Sequence, residues 1–386
     1  MSRDWLIVYL VAGEPSGDVL GGSLMAALKT ATGGAVEFRG IGGPAMQEQG
    51  LKSQFPMSEL SVMGLIEILP HARKLLGRMR ETAQAIDNLQ PDAVVTIDTP
   101  AFAYGVVKRI QTRQIPRIQY VAPQLSAWRP WRVHKFRRQF DHLLALLPFE
   151  PDWFAQRGVD CHFVGHPVVE IEIRQSDGVR FRTNHDIDPN ALAICVLPGS
   201  RQGEVSRLST PFGETLRRLH EKYPNITAVI PTVPNVADAV MAAFDDIPLR
   251  TIIVEDTGDK FSAMAACDVG LAASGTVTLE LAMARVPYVA AYKVATVTHW
   301  LASILVQVPY VNLINFISNR EVVPECIQSR CEPDMLFGHI CRLLDGAGAG
   351  QVNAMRPALE AIGLGSVPPS ERAAAAVLQI INKRIK

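Results

Sequence analysis

Short runs of apolar residues alternate with segments of helical length along most of the chain. Such near-continuous Val, Ile and Leu runs, separated by helices, are typical of parallel strands that are buried on both faces of a sheet. The pattern is interrupted once by a polar, weakly periodic stretch after residue 167 and then restarts. The runs predicted to be strands are WLIVYLVAG, AVEFRGIGG, DAVVTIDTP, RIQYVAP, HLLALLP and CHFVGHP before the interruption, and ALAICVLPGS, ITAVIPTVPN, TIIVED, DVGLAASG and VPYVAAYKV after it.

The interruption predicts two α/β domains, each a doubly wound parallel sheet, facing a central cleft. We expect the first domain to span residues 1–167 and the second to span 168–365, with a final helix over 366–386 that could pack back on the first domain. The chain of 386 residues has the length of two domains of ordinary size.

Charge and cysteine content narrow the class of protein. The 38 basic and 38 acidic side chains balance, which argues against a nucleic-acid-binding protein driven by bulk charge. The segment from His71 to Arg138 nevertheless carries 13 Lys and Arg against 4 Asp and Glu. Six cysteines form no C-x-x-C pair and no zinc spacing with histidine, which indicates reduced thiols in a cytoplasmic protein. We expect no metal site and no cofactor.

The stretch LPGSRQGEV joins a predicted strand to a predicted helix through small residues. Gly199 and Ser200 would expose backbone N–H groups beside Arg201, and the helix that opens through Glu204 would add its positive amino end. This combination favours binding of an anion such as a phosphate. The alternative is an ordinary turn in which Gly and Ser only satisfy backbone geometry.

A second turn of the same kind follows the strand DVGLAAS. Ser274, Gly275 and Thr276 present small side chains, and Glu280 lies one helical turn further on, where a carboxylate could accept hydrogen bonds from a ribose. The alternative is a capped helix with a surface Glu. Two such turns in one domain favour a nucleotide-diphosphate ligand.

The first domain has its own candidate residues after two predicted strands. Asp98 follows VVTI, where a carboxylate could be a general base, or where Asp98-Thr99-Pro100 could simply begin a helix. The loop EPSGD, from Glu14 through Ser16 and Gly17 to Asp18, lets a ligand approach the backbone. Its glycines lack the G-x-G-x-x-G spacing, so NAD binding is not expected.

Residues 60–80 combine dense apolar positions with a basic end. This composition favours contact with an anionic membrane surface, and a buried helix with a solvated basic end is the alternative. The residues expected to contact the membrane are Val62, Met63, Leu65, Ile66, Leu69, Arg73 and Lys74.

Several motifs along nearly the whole chain carry a family resemblance. They are VAGEPSGD, GIGGPAMQEQG, SVMGLIEIL, DTPAF, YVAPQLSAW, LPFEPDWF, FVGHP, LPGSRQGEV, ASGTVTLELA and YVNLINFISNREVVPE. In this order and spacing they resemble the lipid-A-disaccharide synthase family, a family of inverting glycosyltransferases. The resemblance implies a GT-B fold and the joining of UDP-2,3-diacylglucosamine to 2,3-diacylglucosamine 1-phosphate, giving a β-1,6-linked disaccharide phosphate without a metal.

The resemblance also implies roles for individual residues. Asp98 matches the essential carboxylate of the first domain, Arg201 matches a contact to the diphosphate, and Glu280 matches a contact to the uridine ribose. The residues expected to bind the UDP-sugar are Gly199, Ser200, Arg201, Glu204, Ser274, Gly275, Thr276, Glu280, Asn315 and Arg320.

The expected partners are the two acylated sugar substrates and the inner face of the inner membrane of a Gram-negative cell. No nucleic-acid partner is expected. A homodimer is compatible with the sequence. Two other functions stay open at this point. They are a UDP-N-acetylhexosamine epimerase of the same fold and a non-catalytic protein that binds nucleotides or lipids.

Overall fold

The computed structural model describes residues 5–60, 65–123, 130–173, 175–255, 258–294 and 309–385. The chain forms two compact units: unit 1 comprises Met1–Pro167 and Gly365–Lys386, and unit 2 comprises Val168–Leu364. Each unit contains a sheet of six parallel strands among its described residues. The prediction of two doubly wound parallel α/β domains is confirmed.

Unit 1 has the strand order β2-β1-β3-β4-β5-β6. Its strands are β1 (Leu6–Ala12), β2 (Val36–Ile41), β3 (Ala93–Ile97), β4 (Arg117–Tyr120), β5 (His142–Ala145) and β6 (Asp160–Phe163). Its helices are α1 (Pro15–Ala31), α2 (Pro44–Glu48), α3 (Leu65–Leu89), α4 (Pro100–Val107), α5 (Val133–Arg137), α6 (Glu150–Ala155) and the last helix of the chain, α15 (Pro369–Ile385).

Strand β1 illustrates why the apolar runs are continuous. Val8 and Leu10 belong to one buried cluster, whereas Tyr9 and Val11 belong to another. Since successive side chains of a strand point to opposite faces, both faces of this sheet are covered by helices. One of these helices is α15, which packs against α1 through small and aliphatic side chains.

Unit 2 has the strand order β12-β11-β10-β7-β8-β9. Its strands are β7 (Ala193–Leu197), β8 (Thr227–Pro231), β9 (Arg250–Val254), β10 (Val269–Ala273), β11 (Tyr288–Tyr292) and β12 (Glu325–Ile327). Its helices are α7 (Gln175–Asn184), α8 (Gln202–Lys222), α9 (Ala237–Phe244), α10 (Lys260–Ala265), α11 (Val277–Met283), α12 (Leu313–Ser318), α13 (Pro333–Arg342) and α14 (Gly348–Ala361). The sequence pattern did not predict β12, because three residues beginning with Glu make no apolar run.

The strand orders determine where the connecting loops come together. In unit 1 the chain runs from β1 outward to β2 and from β3 outward to β4, so the order reverses between β1 and β3. In unit 2 the same reversal lies between β7 and β10. The loops at the carboxyl ends of two such strands diverge and leave a crevice, which is where open α/β sheets bind ligands.

Helix α3 contributes to the core through its described side chains. Met79, Ala83 and Ile86 are buried at helical spacing, whereas Arg73 and Arg80 are exposed. Among the described residues, no helix is both long and apolar enough to cross a membrane.

Candidate functional site

The unit 1 loops, residues 13–18 and 98–99, follow adjacent strands. Ala12 pairs with Ile97 in the parallel register, so the chain leaves both strands side by side. Asp98 and Thr99 then take φ values of 41° and 92°, in the left-handed region that residues with a Cβ rarely adopt. Strained backbone of this kind is often found at functional sites.

This turn brings Asp98 to the loop after β1, where its carboxylate accepts a hydrogen bond from Ser16. Burial raises the pKa of the half-buried Asp98, and the Ser16 hydrogen bond partly opposes that rise. A partly desolvated carboxylate with a raised pKa has the properties of a general base. The sequence pattern predicted both Asp98 and Ser16 as site residues but did not predict that they interact.

The alternative that Asp98-Thr99-Pro100 begins a helix is confirmed, but Asp98 itself is not the N-cap residue. The helix α4 has Thr99 as its N-cap residue and Pro100 in its first turn, with no side-chain cap hydrogen bond. The Thr99 hydroxyl instead donates to the Ile97 carbonyl oxygen at 3.0 Å. Asp98 therefore lies one residue before the cap and does not satisfy the helix end.

Close packing explains the glycine that follows β1. A Cβ at Gly13 would lie 2.5 Å from the Thr99 Cγ2 atom, so only glycine fits without a rearrangement. Beyond Gly13, Glu14 is half-buried as the N-cap residue of α1, Ser16 is exposed and Gly17 is buried.

Asp18 lies in the same segment, but its side chain contacts the protein backbone and is not open to a ligand. Its buried carboxylate accepts hydrogen bonds from the backbone N–H groups of Gly43 (2.7 Å), Ala45 (2.9 Å) and Met46 (3.1 Å) at the start of α2. The side chain therefore joins the first turn of α1 to that of α2, and it acts on the unit 1 loops by holding their backbone in place.

The unit 2 loops, residues 198–204 and 274–276, also follow adjacent strands, since Leu197 pairs with Ala272. Gly199 has a φ of 122°, and Arg201 is the extended N-cap residue of α8 with 70% of its side chain exposed. The prediction that a small-residue turn opens directly into a long helix is confirmed.

Glu204, in the first turn of α8, contacts the two residues before the helix, and the sequence did not predict these contacts. Its Oε2 atom accepts a hydrogen bond from the Ser200 N–H at 3.1 Å, and its Oε1 atom lies 3.4 Å from Arg201 Nη1. The Glu204 carboxylate thus accepts the hydrogen bond that the Ser200 N–H would otherwise donate to a phosphate. A bound anion would have to displace Glu204, so we expect this residue to respond to the ligand and not to anchor it.

The second turn of unit 2 contains one buried hydroxyl that has no partner among the described residues. The Ser274 N–H donates to the Ala291 carbonyl oxygen at 2.8 Å, whereas the Ser274 hydroxyl is buried and makes no hydrogen bond to the described residues. A Cβ at Gly275 would meet nothing within 4 Å, and Gly275 and Thr276 are exposed. An unsatisfied buried hydroxyl beside open space is suited to a polar ligand.

Glu280 lies on α11 and pairs with Lys260 at the start of α10. The Lys260 Nζ atom is 2.5 Å from Glu280 Oε2. Burial raises the pKa of Glu280, and the Lys260 ammonium counteracts that rise. The pairing favours an ionised carboxylate that can still accept hydrogen bonds through its other oxygen.

Asn315, which the sequence predicts to contact the ligand, is held by protein groups in this structure, and ligand contact by it stays a prediction. This side chain is fully buried; it donates to the Val323 carbonyl and to Glu325 Oε1, and it accepts from the Val322 and Val323 N–H groups. These four hydrogen bonds at 2.7–2.8 Å use the whole capacity of an amide. Asn315 therefore braces the segment that follows α12.

Arg320 lies at the surface of that braced segment. It is exposed directly after Asn319, whose left-handed backbone (φ 49°) ends α12. The structure thus separates two predicted contacts: Arg320 is available to a ligand, and Asn315 holds the backbone from which Arg320 projects.

Three polar residues at these loops were missed in the sequence. Asn235, after β8, donates to the Ser200 carbonyl oxygen at 2.9 Å and so supports the unit 2 loops. Lys260 pairs with Glu280, and the buried Glu325 accepts from Asn315. Each is distant in sequence from its partner, and no local pattern marks it.

The residues predicted to contact a membrane are only partly described. Val62 and Met63 lie outside the described residues, and Leu65, Ile66 and Leu69 lie in α3 with side chains that are not described. Arg73 and Lys74 are exposed, and Lys74 Nζ lies 3.3 Å from Glu59. Membrane contact by this segment stays a prediction.

The two pairs of loops and the parallel sheets define a class of protein. Solved structures with the same fold include MurG from Acinetobacter baumannii (17% identical, TM-score 0.56, covering 98% of this chain and 99% of that chain). They also include the glycotransferase of kitacinnamycin (16%, TM-score 0.64, covering 99% and 100%). A UDP-GlcNAc 2-epimerase from Neisseria meningitidis is similar as well (13%, TM-score 0.62, covering 98% and 99%). The chain is therefore a two-domain α/β protein with the GT-B fold.

Sequence comparison identifies the family within that fold. The lipid-A-disaccharide synthetase family model matches residues 8–361. Curated lipid-A-disaccharide synthases from Rhodospirillum centenum and Paramagnetospirillum magneticum are 49% and 45% identical over 98% of this chain, and the matches cover 96% and 98% of those proteins. The chain belongs to the lipid-A-disaccharide synthetase family and is a glycosyltransferase, which is favoured over the epimerase and over a non-catalytic binding protein.

Proposed function

We propose that this chain transfers 2,3-diacylglucosamine from its UDP conjugate to the 6-hydroxyl of 2,3-diacylglucosamine 1-phosphate. The products are the β-1,6-linked disaccharide 1-phosphate and UDP. The observation that carries the proposal is family membership over residues 8–361, on a chain whose unit 2 loops offer a diphosphate a glycine turn, a helix amino end and an arginine.

Asp98 is the general base of the proposed reaction. The acceptor oxygen attacks the anomeric carbon from the face opposite UDP, and its proton passes to the Asp98 carboxylate. The glycosidic C–O bond to the diphosphate breaks at the same time, with its electron pair remaining on the phosphate oxygen. The hydrogen bond from Ser16 and the strained turn hold the carboxylate in one orientation, which is a requirement for efficient proton transfer.

The leaving UDP is stabilised by the unit 2 loops. Negative charge grows on the diphosphate as the bond breaks, and Arg201, the Ser200 N–H and the amino end of α8 are the groups that oppose it. Entry of the diphosphate releases Glu204 from Ser200, because two anions cannot share one N–H donor. The Ser274 hydroxyl donates to the same diphosphate, and Glu280 accepts from the ribose while Lys260 stays on its Oε2 atom.

The acylated substrates require a route from the membrane, which we assign to the start of α3. The apolar residues of 62–69 would insert among acyl chains at the inner face of the inner membrane. Exposed Arg73 and Lys74 would face anionic headgroups there.

The direct test is incubation of the purified chain with both diacyl substrates, followed by mass analysis. We expect a disaccharide monophosphate and UDP in equal amounts. Turnover of UDP-N-acetylglucosamine to its epimer, or UDP binding with no product, would contradict the proposal. A measurement of molecular mass, made in the detergent used for the assay, would determine whether the active species is a homodimer.

A further inference from the structure

A cluster of three potential metal ligands lies on β5 and the edge strand β6 of unit 1, away from the loops described above. His142 and Asp160 are the first residues of the two strands and pair directly in the parallel register. His162 lies two residues after Asp160, so both side chains project from the same face of β6. The cluster is at the amino ends of the strands, whereas the unit 1 loops follow carboxyl ends.

The ligand atoms of these three side chains converge. One atom from each side chain lies within 4.8 Å of the others. The His142 Nδ1 atom is 3.0 Å from one carboxylate oxygen of Asp160, and the His162 Nε2 atom is 3.3 Å from the other. The imidazole rings are 5.8 Å apart between centroids.

The two nitrogen atoms are poorly explained by hydrogen bonding. Both are buried and lie at ion-pair distance from Asp160, but within the described part of the chain neither has a partner in strict hydrogen-bond geometry. Buried polar atoms normally have a well-aligned partner, so two that face one carboxylate in this way are suited to a shared cation.

The donor set selects the kind of cation. Two imidazole nitrogens and one carboxylate suit Zn²⁺, which binds such ligands at about 2.0–2.2 Å in a tetrahedron. Mg²⁺ and Ca²⁺ prefer sets made only of oxygen. Tetrahedral ligand atoms at that bond length lie roughly 3.4 Å apart. One ligand atom from each of the three side chains lies within 4.8 Å of the others, so side-chain rotations would bring them to that spacing around a cation.

We propose that His142, Asp160 and His162 form a Zn²⁺ site, completed by water, that fastens β6 to β5. The site lies at the opposite ends of the strands from Asp98, so it takes no part in the proposed transfer. Strand β6 has four residues and one neighbouring strand, so a shared cation would add a cross-link where the sheet has few hydrogen bonds. The chemistry proposed for Asp98 and Arg201 does not depend on it.

The test is titration of chelator-treated, reduced full-length chain with ZnCl₂ by calorimetry. We expect one site per chain, and at least tenfold weaker binding in each of the variants His142→Gln and His162→Gln. The matched control is His134→Gln, because His134 is an exposed histidine of the same unit. Cys161→Ser is a second control, since this half-buried thiol lies between Asp160 and His162 in sequence. Both controls should bind as the unaltered chain does.

A second measurement needs no change in the three ligands. Co²⁺ in the unaltered chain should show the visible bands of a tetrahedral site without a thiolate charge-transfer band, and Zn²⁺ should displace it and raise the melting temperature. Failure of the unaltered chain to bind Zn²⁺ at micromolar concentrations would overturn the proposal. So would equal affinity in folded His162→Gln, a loss of binding in Cys161→Ser, or a thiolate band.

Discussion

Arg201 stands at the start of α8 with most of its side chain in solvent, and its nearest charged partner is Glu204. We expect Arg201→Ala to leave the melting temperature nearly unchanged, because no buried contact is lost. The rate of transfer should fall roughly 100- to 1000-fold, equivalent to about 2.7–4 kcal/mol, which is typical of losing one group that stabilises the transition-state charge. Steady-state kinetics would measure the loss, with exposed Arg180→Ala as the control. A rate within threefold of the unaltered chain would refute this role.

Asp98 can be tested by removing its basicity and keeping its shape. We expect Asp98→Asn to bind the UDP-sugar and to fold, since Thr99 and not Asp98 is the N-cap residue of α4. Transfer should fall by at least 100-fold, because an amide cannot accept the acceptor's proton. Single-turnover assays and calorimetric titration with UDP would separate chemistry from binding. An active, stable Asn variant would make Asp98 a structural residue.

We expect Ser16 to influence the pH at which Asp98 would act as a base. Burial raises the Asp98 pKa and the Ser16 hydrogen bond lowers it, so the proposed base is lost as pH falls through a value above the ordinary one for Asp. Ser16→Ala removes the lowering contact and should move the acid limb of the kcat/KM profile to higher pH, whereas Ser16→Thr should restore it. A profile that does not move in Ser16→Ala would mean that another group limits the rate at low pH.

Some basic residues of helix α3 contact other side chains and some are exposed, so we expect different effects when each kind is mutated. Arg78 contacts Glu59 and Glu81 and stacks on Phe55, whereas Arg73 and Arg80 are exposed. The double variant Arg73→Ala/Arg80→Ala should therefore weaken binding to anionic vesicles by roughly 1 kcal/mol per charge at low salt, with no change in melting temperature. Arg78→Ala should lower stability instead.

The apolar residues of segment 62–69, the last of which lie at the start of α3, allow a second test of membrane contact. Replacement of Val62, Leu65, Ile66 and Leu69 by serine should reduce vesicle binding and preserve the fold if these side chains face a membrane. Four core substitutions at ~2–5 kcal/mol each would cost ~8–20 kcal/mol against a total stability of ~5–15 kcal/mol, so a core location predicts a largely unfolded variant. Co-sedimentation with vesicles and thermal melting distinguish the two; a folded variant that still sediments fully would also exclude membrane contact.

At the scale of the whole molecule, buried ionisable groups make stability depend on pH. Burial raises the pKa of Glu150 from 4.5 to about 7. The folded state therefore holds a proton that the unfolded state releases, and stability is lost as pH rises from about 4.5 through 7. Glu150→Gln removes this effect, so the variant should gain up to roughly 3 kcal/mol relative to the unaltered chain at pH 8 compared with pH 5. Urea unfolding at both pH values would measure it.

Two other groups serve as references for that measurement. Burial lowers the pKa of His166 to about 4, so its contribution to stability is lost as pH falls from 6.5 toward 4, in both proteins equally. Exposed Glu48→Gln is the matched control and should show the same difference between the two pH values as the unaltered chain. An equal gain in Glu150→Gln at pH 5 and pH 8 would show that Glu150 is not protonated in the folded protein.

Local patterns in the sequence were enough to determine the architecture. The predicted runs included every strand from β1 to β11 and began within two residues of it, because a strand buried on both faces is largely apolar. Their ends ran on into the turns that follow the strands. The turns at Gly199 and Gly275 were also recognisable, since small residues between a strand and a helix have few other uses. The motifs along the chain were sufficient to indicate the family.

Tertiary structure alone decided which side chains meet. Ser16 contacts Asp98 because β1 and β3 are neighbours, and Asn315 is buried because the segment after α12 folds over it. His142 reaches Asp160 through the register of β5 and β6. In a parallel sheet every neighbouring pair is separated by a crossover, so contacts across strands depend on strand order and register. Strand order and register cannot be inferred from the residues close in sequence to any one side chain. Helix and strand periodicity can, because it is a local pattern.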